Sequence, residues 1–154
     1  IDGAAYPKCN GLFLSLGPPM IELRRVDRSD IAQFWPVLEP MFARIPGKVQ
    51  TEITTGDIHQ RVEDQTLLLW VIHDDETILG TFASGVRTCG TDTVAFVEAI
   101  AGDDIDRWLL PALEDCEARA RNAGATIIEH EGRLGWARKL PGYRPVRIVM
   151  QKVL

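Results

Sequence analysis

The chain is short of the residues that staple or metallate small proteins. Its 154 residues include three cysteines (Cys9, Cys89, Cys116) and three histidines (His59, His73, His130). An odd number of widely spaced thiols makes no disulfide framework, and the scattered histidines show no zinc-ligand spacing. No metal is expected, and the cysteines read as free thiols in a reducing, cytoplasmic compartment. Long apolar runs are also missing. The best stretches, residues 67–72 and 12–16, fall far short of the ~18 needed to span a bilayer. Residues 1–19 carry one lysine and a short apolar core, too little for a secretory leader. A basic surplus is absent: 17 Lys and Arg face 22 Asp and Glu, a net charge of −5 with a pI near 5.2. A nucleic-acid partner is therefore not expected.

What is present is an ordinary globular composition, 45% apolar and 25% charged. A chain of this length forms one domain and buries about 70% of its unfolded surface. The charge is unevenly spread. Residues 98–131 hold nine acids and three bases, whereas residues 132–154 hold six bases (Arg133, Arg138, Lys139, Arg144, Arg147, Lys152) and no acid. Such runs usually form solvated faces. The basic end is interleaved with Trp136 and Tyr143, a pattern also found where single-stranded nucleic acid is stacked.

Residues 1–19 read as an extension or arm, and the domain (20–154) starts at Met20. Residues 20–26 alternate as a strand. Ile31, Phe34, Trp35, Leu38, Met41, Phe42 and Ile45 follow at helical spacing, with Pro36 and Pro40 predicting a kink or two short helices. Thr54 or Thr55 caps a second short helix reaching about Glu63. Residues 66–73, 77–86 and 93–101 make a three-stranded antiparallel meander. The longest helix carries Ile105, Trp108, Leu109, Ala112, Leu113, Cys116, Ala120 and Ala123 on one face, with Pro111 placing its start nearer Arg107 and Gly124 stopping it. Strand 126–130, a short helix 134–140 and strand 146–153 close the chain. The order is β-α-α-β-β-β-α-β-α-β, a single α/β (α+β) domain with a mixed sheet of about six strands and about four helices.

This order resembles the GNAT superfamily of N-acetyltransferases over residues 20–154. Three stretches carry the resemblance: IELRRVDRSDIAQFWPVL, the opening strand and helix; LLLWVIHDDETILGTFAS, the central hairpin; and RLGWARKLPGYRPVRIVMQKVL, the closing helix, corner and strand. The closing stretch, from Glu131, also resembles small GNAT-like proteins of tailed bacteriophages, some of them virion or morphogenesis components. The resemblance implies acetyl-CoA as cofactor and an acyl acceptor, or in the phage case a protein partner. It also implies that strands 93–101 and 126–130 diverge to admit the pantetheine arm.

In that family a Gln/Arg-x-x-Gly-x-Gly/Ala loop cradles the pyrophosphate with main-chain N–H groups at a helix N-terminus. Leu109-Leu110 sets the register, which puts Ala101 at the Gln/Arg position and Asp104 and Asp106 at the small positions, with Gly102 and Asp103 between. Up to three carboxylates thus stand where diphosphate belongs, and they read as helix caps that satisfy the helix end internally. Val97, Ala99, Ala101 and Gly102 are the main-chain candidates for holding cofactor, and Arg138, with Arg133 and Lys139, the candidate replacement for phosphate contacts. Glu98, at the family's base position on the fourth strand, is the candidate base, with a raised pKa if buried. His130, within Glu129-His130-Glu131, is the candidate proton relay. The family's usual tyrosine acid has no counterpart; Tyr143 matches the corner aromatic, which packs.

Overall fold

Local chemistry sets the element boundaries. A computed structural model of the chain describes residues 20–45, 53–75, 77–132, 134–146 and 152. Strand β1 (Glu22–Arg25) leads through a 3-10 turn (Arg28–Asp30) into helix α1 (Ile31–Ala43). α1 is one helix, not two, although Pro36 and Pro40 lie inside it. Both prolines and Ala32 are exposed, so the carbonyls left without N–H partners face water. The opposite stripe, Ile31, Trp35, Leu38 and Phe42, is buried and holds the helix by tertiary packing. Helix α2 (Thr55–Glu63) begins with a capping box: the Asp57 N–H donates to Thr54 Oγ1 at 3.1 Å and the Thr54 N–H to Asp57 Oδ2 at 2.9 Å. The bond from the Thr54 hydroxyl, followed by that from its N–H, holds the Asp57 carboxyl below the usual carboxylate range.

Strands β2 (Leu68–His73), β3 (Ile78–Cys89) and β4 (Asp92–Gly102) form the meander, followed by helix α3 (Ile105–Asn122) and strand β5 (Ile127–His130). β3 and β4 run longer than the apolar pattern predicts, because their polar ends pair across the Gly90-Thr91 turn, where Gly90 has φ 63°. α3 starts at Ile105 rather than Arg107, and Pro111 sits inside it. Beyond Asn122 the Ala125 N–H donates to the Ala120 carbonyl at 2.9 Å around Gly124 (φ 84°), a glycine-based stop. The closing helix is a 3-10 helix, Leu134–Arg138, and the expected strand 146–153 lies almost wholly outside the described residues, as do residues 1–19.

The strand order is β1-β2-β3-β4-β5, antiparallel except for the parallel β4–β5 pair. It is a mixed α+β sheet of five strands with three α-helices among the described residues. One face packs α1 and α2 over Leu69, Val71, Ala83, Ala99 and Ala101. The other packs α3 and the 3-10 helix over Ile72, Leu79, Phe82, Val97 and Ile100. Among the described residues, no helix is long and apolar enough to cross a membrane.

Candidate functional site

Two irregularities in β4 shape the site. The first is a bulge. Ala83 pairs Ala99 and Ser84 pairs Val97, so Glu98 is the extra residue on β4. Phe96, Ala99 and Ala101 therefore face the α1–α2 layer, and Val97 and Ile100 the α3 layer. The second is a fork. β4 pairs β5 only from Val94↔Ile127 to Val97↔His130, with a last 3.4 Å bond from the Glu131 N–H to the Val97 carbonyl. Residues 98–102 of β4 continue with no strand on that side among the described residues.

Glu98 lies on the α1–α2 side, where Arg61 of α2 donates to its Oε1 at 3.1 Å. Its side chain is 23% exposed, so it is neither deeply buried nor enclosed by apolar groups alone. On the same face Arg87 spans Phe96, 5.1 Å from the ring centroid, to bond Glu129. His130 is on the opposite face. Its ring meets Trp136 edge-on at 4.9 Å, and its Nε2 is buried with no hydrogen-bond partner among the described residues. Burial pushes its pKa down to about 4, so the imidazole is neutral at pH 7. The two candidate catalytic side chains thus belong to neighbouring residues of paired strands but point into different layers.

Behind the fork is an apolar cavity of about 30 Å³ lined by Val97 and Ile100 of β4, His130, Leu109, Leu113 and Cys116 of α3, and Trp136, Leu140 and Tyr143. Burial pushes the Cys116 thiol up to about 11, which keeps it protonated and unreactive. Burial also pushes the Tyr143 phenol up, with the Glu117 charge adding to it. Tyr143 and Trp136 pack in this layer rather than standing free as stacking platforms.

The turn from β4 into α3 is built differently. Trp108, fully buried, lies against Gly80 and Gly102: a Cβ on Gly102 would stand 2.5 Å from the Leu79 carbonyl oxygen and 2.7 Å from Trp108 Cζ2. Trp108 Nε1 donates to the Asp103 carbonyl at 2.7 Å. Gly102 is small because the indole needs the room. The acids do not cap the helix as expected. Asp104, at φ 48°, makes no side-chain capping bond. Asp103 receives two bonds from Arg44, at 2.7 and 3.1 Å, and Asp106 is bonded by Lys139. Arg107 reaches Asp74 in the β2–β3 turn at 2.7 Å. Asp103 and Asp106 pair with cations from other elements rather than with the helix's own N–H groups, since charge-assisted pairs are the stronger bonds.

Of the cofactor candidates, Val97 sits at the fork, Ala99 and Ala101 bury their methyl groups under α1 and α2, and Gly102 is filled by Trp108. Arg138 is exposed, and it is its neighbour Lys139 that reaches the turn. Arg61 and Arg44 escape sequence reasoning, because pairs 37 and 59 residues apart leave no local pattern. The Trp108 packing had a signal: glycines inside strands mark close approach.

No family model matches the chain, and no curated protein matches it. Solved structures do. An aminoglycoside acetyltransferase from an uncultured soil metagenomic sample superposes with a TM-score of 0.64 at 14% identity, covering 87% of this chain and 96% of its own. An acetyltransferase of Trypanosoma brucei gives 0.59 at 16% identity, covering 88% and 100%. A GNAT family acetyltransferase of Staphylococcus aureus gives 0.60 at 13%, covering 87% and 98%. At these identities the shared property is the fold: this chain is folded like the GNAT acetyltransferases.

Proposed function

We propose that the chain is an N-acetyltransferase-like protein that has kept the fold's fork but does not work as an ordinary acetyl-CoA-dependent enzyme. The observation that carries this is the β4–α3 turn. Where a diphosphate would need an amide or basic side chain and small residues, the chain has Ala101, Asp103, Asp104 and Asp106. The fork leaves the edge of β4 beyond Val97 without a strand partner among the described residues, where a pantetheine arm would lie; the turn does not suit the phosphates. A like-charge contact at ~5 Å costs about 3 kcal/mol at an effective dielectric near 20, against the ~8 kcal/mol of a micromolar complex. Titrating acetyl-CoA while following heat and melting temperature is the test. No saturable binding below millimolar cofactor is expected, and a micromolar Kd would overturn the reading. Were transfer to occur, Glu98 is the residue placed to take the acceptor's proton and His130 the relay.

A second reading follows from the same turn: a non-catalytic interaction module, of the virion or morphogenesis kind that the closing stretch resembles. Detection of the protein in purified particles supports it, and confinement to the soluble lysate opposes it.

A further inference from the structure

The turn has not simply lost its cations. Three of them stand at it, two brought from other elements and one in the first turn of α3, and each is occupied. Arg44 follows α1 and holds Asp103; Lys139 follows the closing 3-10 helix and holds Asp106; Arg107, in the first turn of α3, holds Asp74. Two of these three carboxylates belong to the turn itself. With Asp104 added, four carboxylates against three cations leave the assembly one negative charge.

From this geometry we infer that Asp103 and Asp106 act as built-in substitutes for the cofactor's diphosphate. They engage the cations that would otherwise meet phosphate oxygens, so the cofactor end is self-blocked rather than eroded. The inference rests on the reading above, that the parent chain binds acetyl-CoA poorly, and goes beyond it by naming the residues that block and the cations they withhold. It makes an opposite prediction from simple decay of the site. Where cations are missing, removing acids gains little. Where cations are present but engaged, exchanging two acids for amides turns the local charge from one negative to one positive and frees Arg44 and Lys139.

The experiment compares the parent chain, D103N/D106N, and E39Q/E114Q, a control with the same change in net charge at exposed sites elsewhere on α1 and α3. Coenzyme A and phosphate-free pantetheine are titrated into each, followed by calorimetry and melting temperature. The Asp103 and Asp106 side chains are 73% and 77% exposed, so their amides leave packing intact, which the unliganded melting temperature verifies. Coenzyme A binding at least tenfold tighter in D103N/D106N than in the control is expected. The gain should fall with salt, be absent for pantetheine, and be reversed by adding Lys139→Met. If D103N/D106N binds coenzyme A no better than the control, the self-block is overturned and the poor-binding reading stands. If the parent already binds at micromolar levels, that reading fails and the inference falls with it.

Discussion

The two ends of β4 solve opposite problems. At the fork, the sheet gives up pairing: β5 stops at His130, an apolar cavity opens, and a buried imidazole nitrogen has no hydrogen-bond partner among the described residues. At the α3 turn, five residues further on, nothing is left open. The indole of Trp108 fills the space beside two glycines, and cations from three places engage the acids. A strand edge unpaired among the described residues and a closely packed, internally ion-paired turn thus lie within five residues of one another.

The largest test of that contrast is at the closed end. Trp108→Ala should cost about 3–5 kcal/mol, since it removes a fully buried indole and leaves the Asp103 carbonyl without its donor, read as a large fall in melting temperature. The open end should respond to acid instead. His130 is held near pKa 4 in the folded chain against 6.5 unfolded. Below pH 6.5 the unfolded chain takes up a proton that the folded chain refuses until about pH 4. Its contribution is thus fully present above pH 6.5 and is lost as pH falls towards 4, by up to about 3 kcal/mol. His130→Leu should flatten that part of the stability–pH curve in denaturant titrations. A Cβ at Gly102 tests how tightly the closed end is packed: Gly102→Ala should cost about 1–3 kcal/mol by the same melting assay, because its nearest obstacle is backbone. Between the two ends, the Arg61–Glu98 pair is partly exposed and should show about 1 kcal/mol or less of coupling in a double-mutant cycle with Arg61→Met and Glu98→Gln. The outermost pair, Arg44–Asp103, should contribute least, within about 0.5 kcal/mol in the same kind of cycle.

Much of the fold could be read from the sequence, because it rests on local signals. The β-rich apolar runs between polar turns predicted the meander, Thr54 or Thr55 the cap of α2 (it is Thr54), and Gly124 the end of α3. Misreadings arose where tertiary structure outweighed a local rule. Pro36 and Pro40 predicted a broken helix, but their freed carbonyls meet water while Trp35 and Leu38 anchor the other side. The aspartates of the turn predicted caps, but stronger partners arrive from distant segments. The site was legible only as positions. Glu98 and His130 were named as candidate base and proton relay from their strands alone; their separation onto opposite faces follows from the register that sets Val97 opposite His130, and neither that register nor the Arg61 pair has a local signal in the sequence.

The bulge at Glu98 has a consequence for chain length. It divides β4 into two segments out of step by one residue: up to Val97 the strand keeps time with β5, and from Ala99 it keeps time with α1 and Trp108. Deleting one residue here would not merely remove a carboxylate. It would bring the segments into a single alternation, with Phe96, Ala99 and Ala101 still on the α1–α2 side and Val97 and Ile100 on the other, and so remove the offset in the ladder with β3. The bulge is thus what lets β4 carry one residue more than β3 without turning a side chain over: flattening it with Glu98 retained would move Ala99 and Ala101 off the α1–α2 layer.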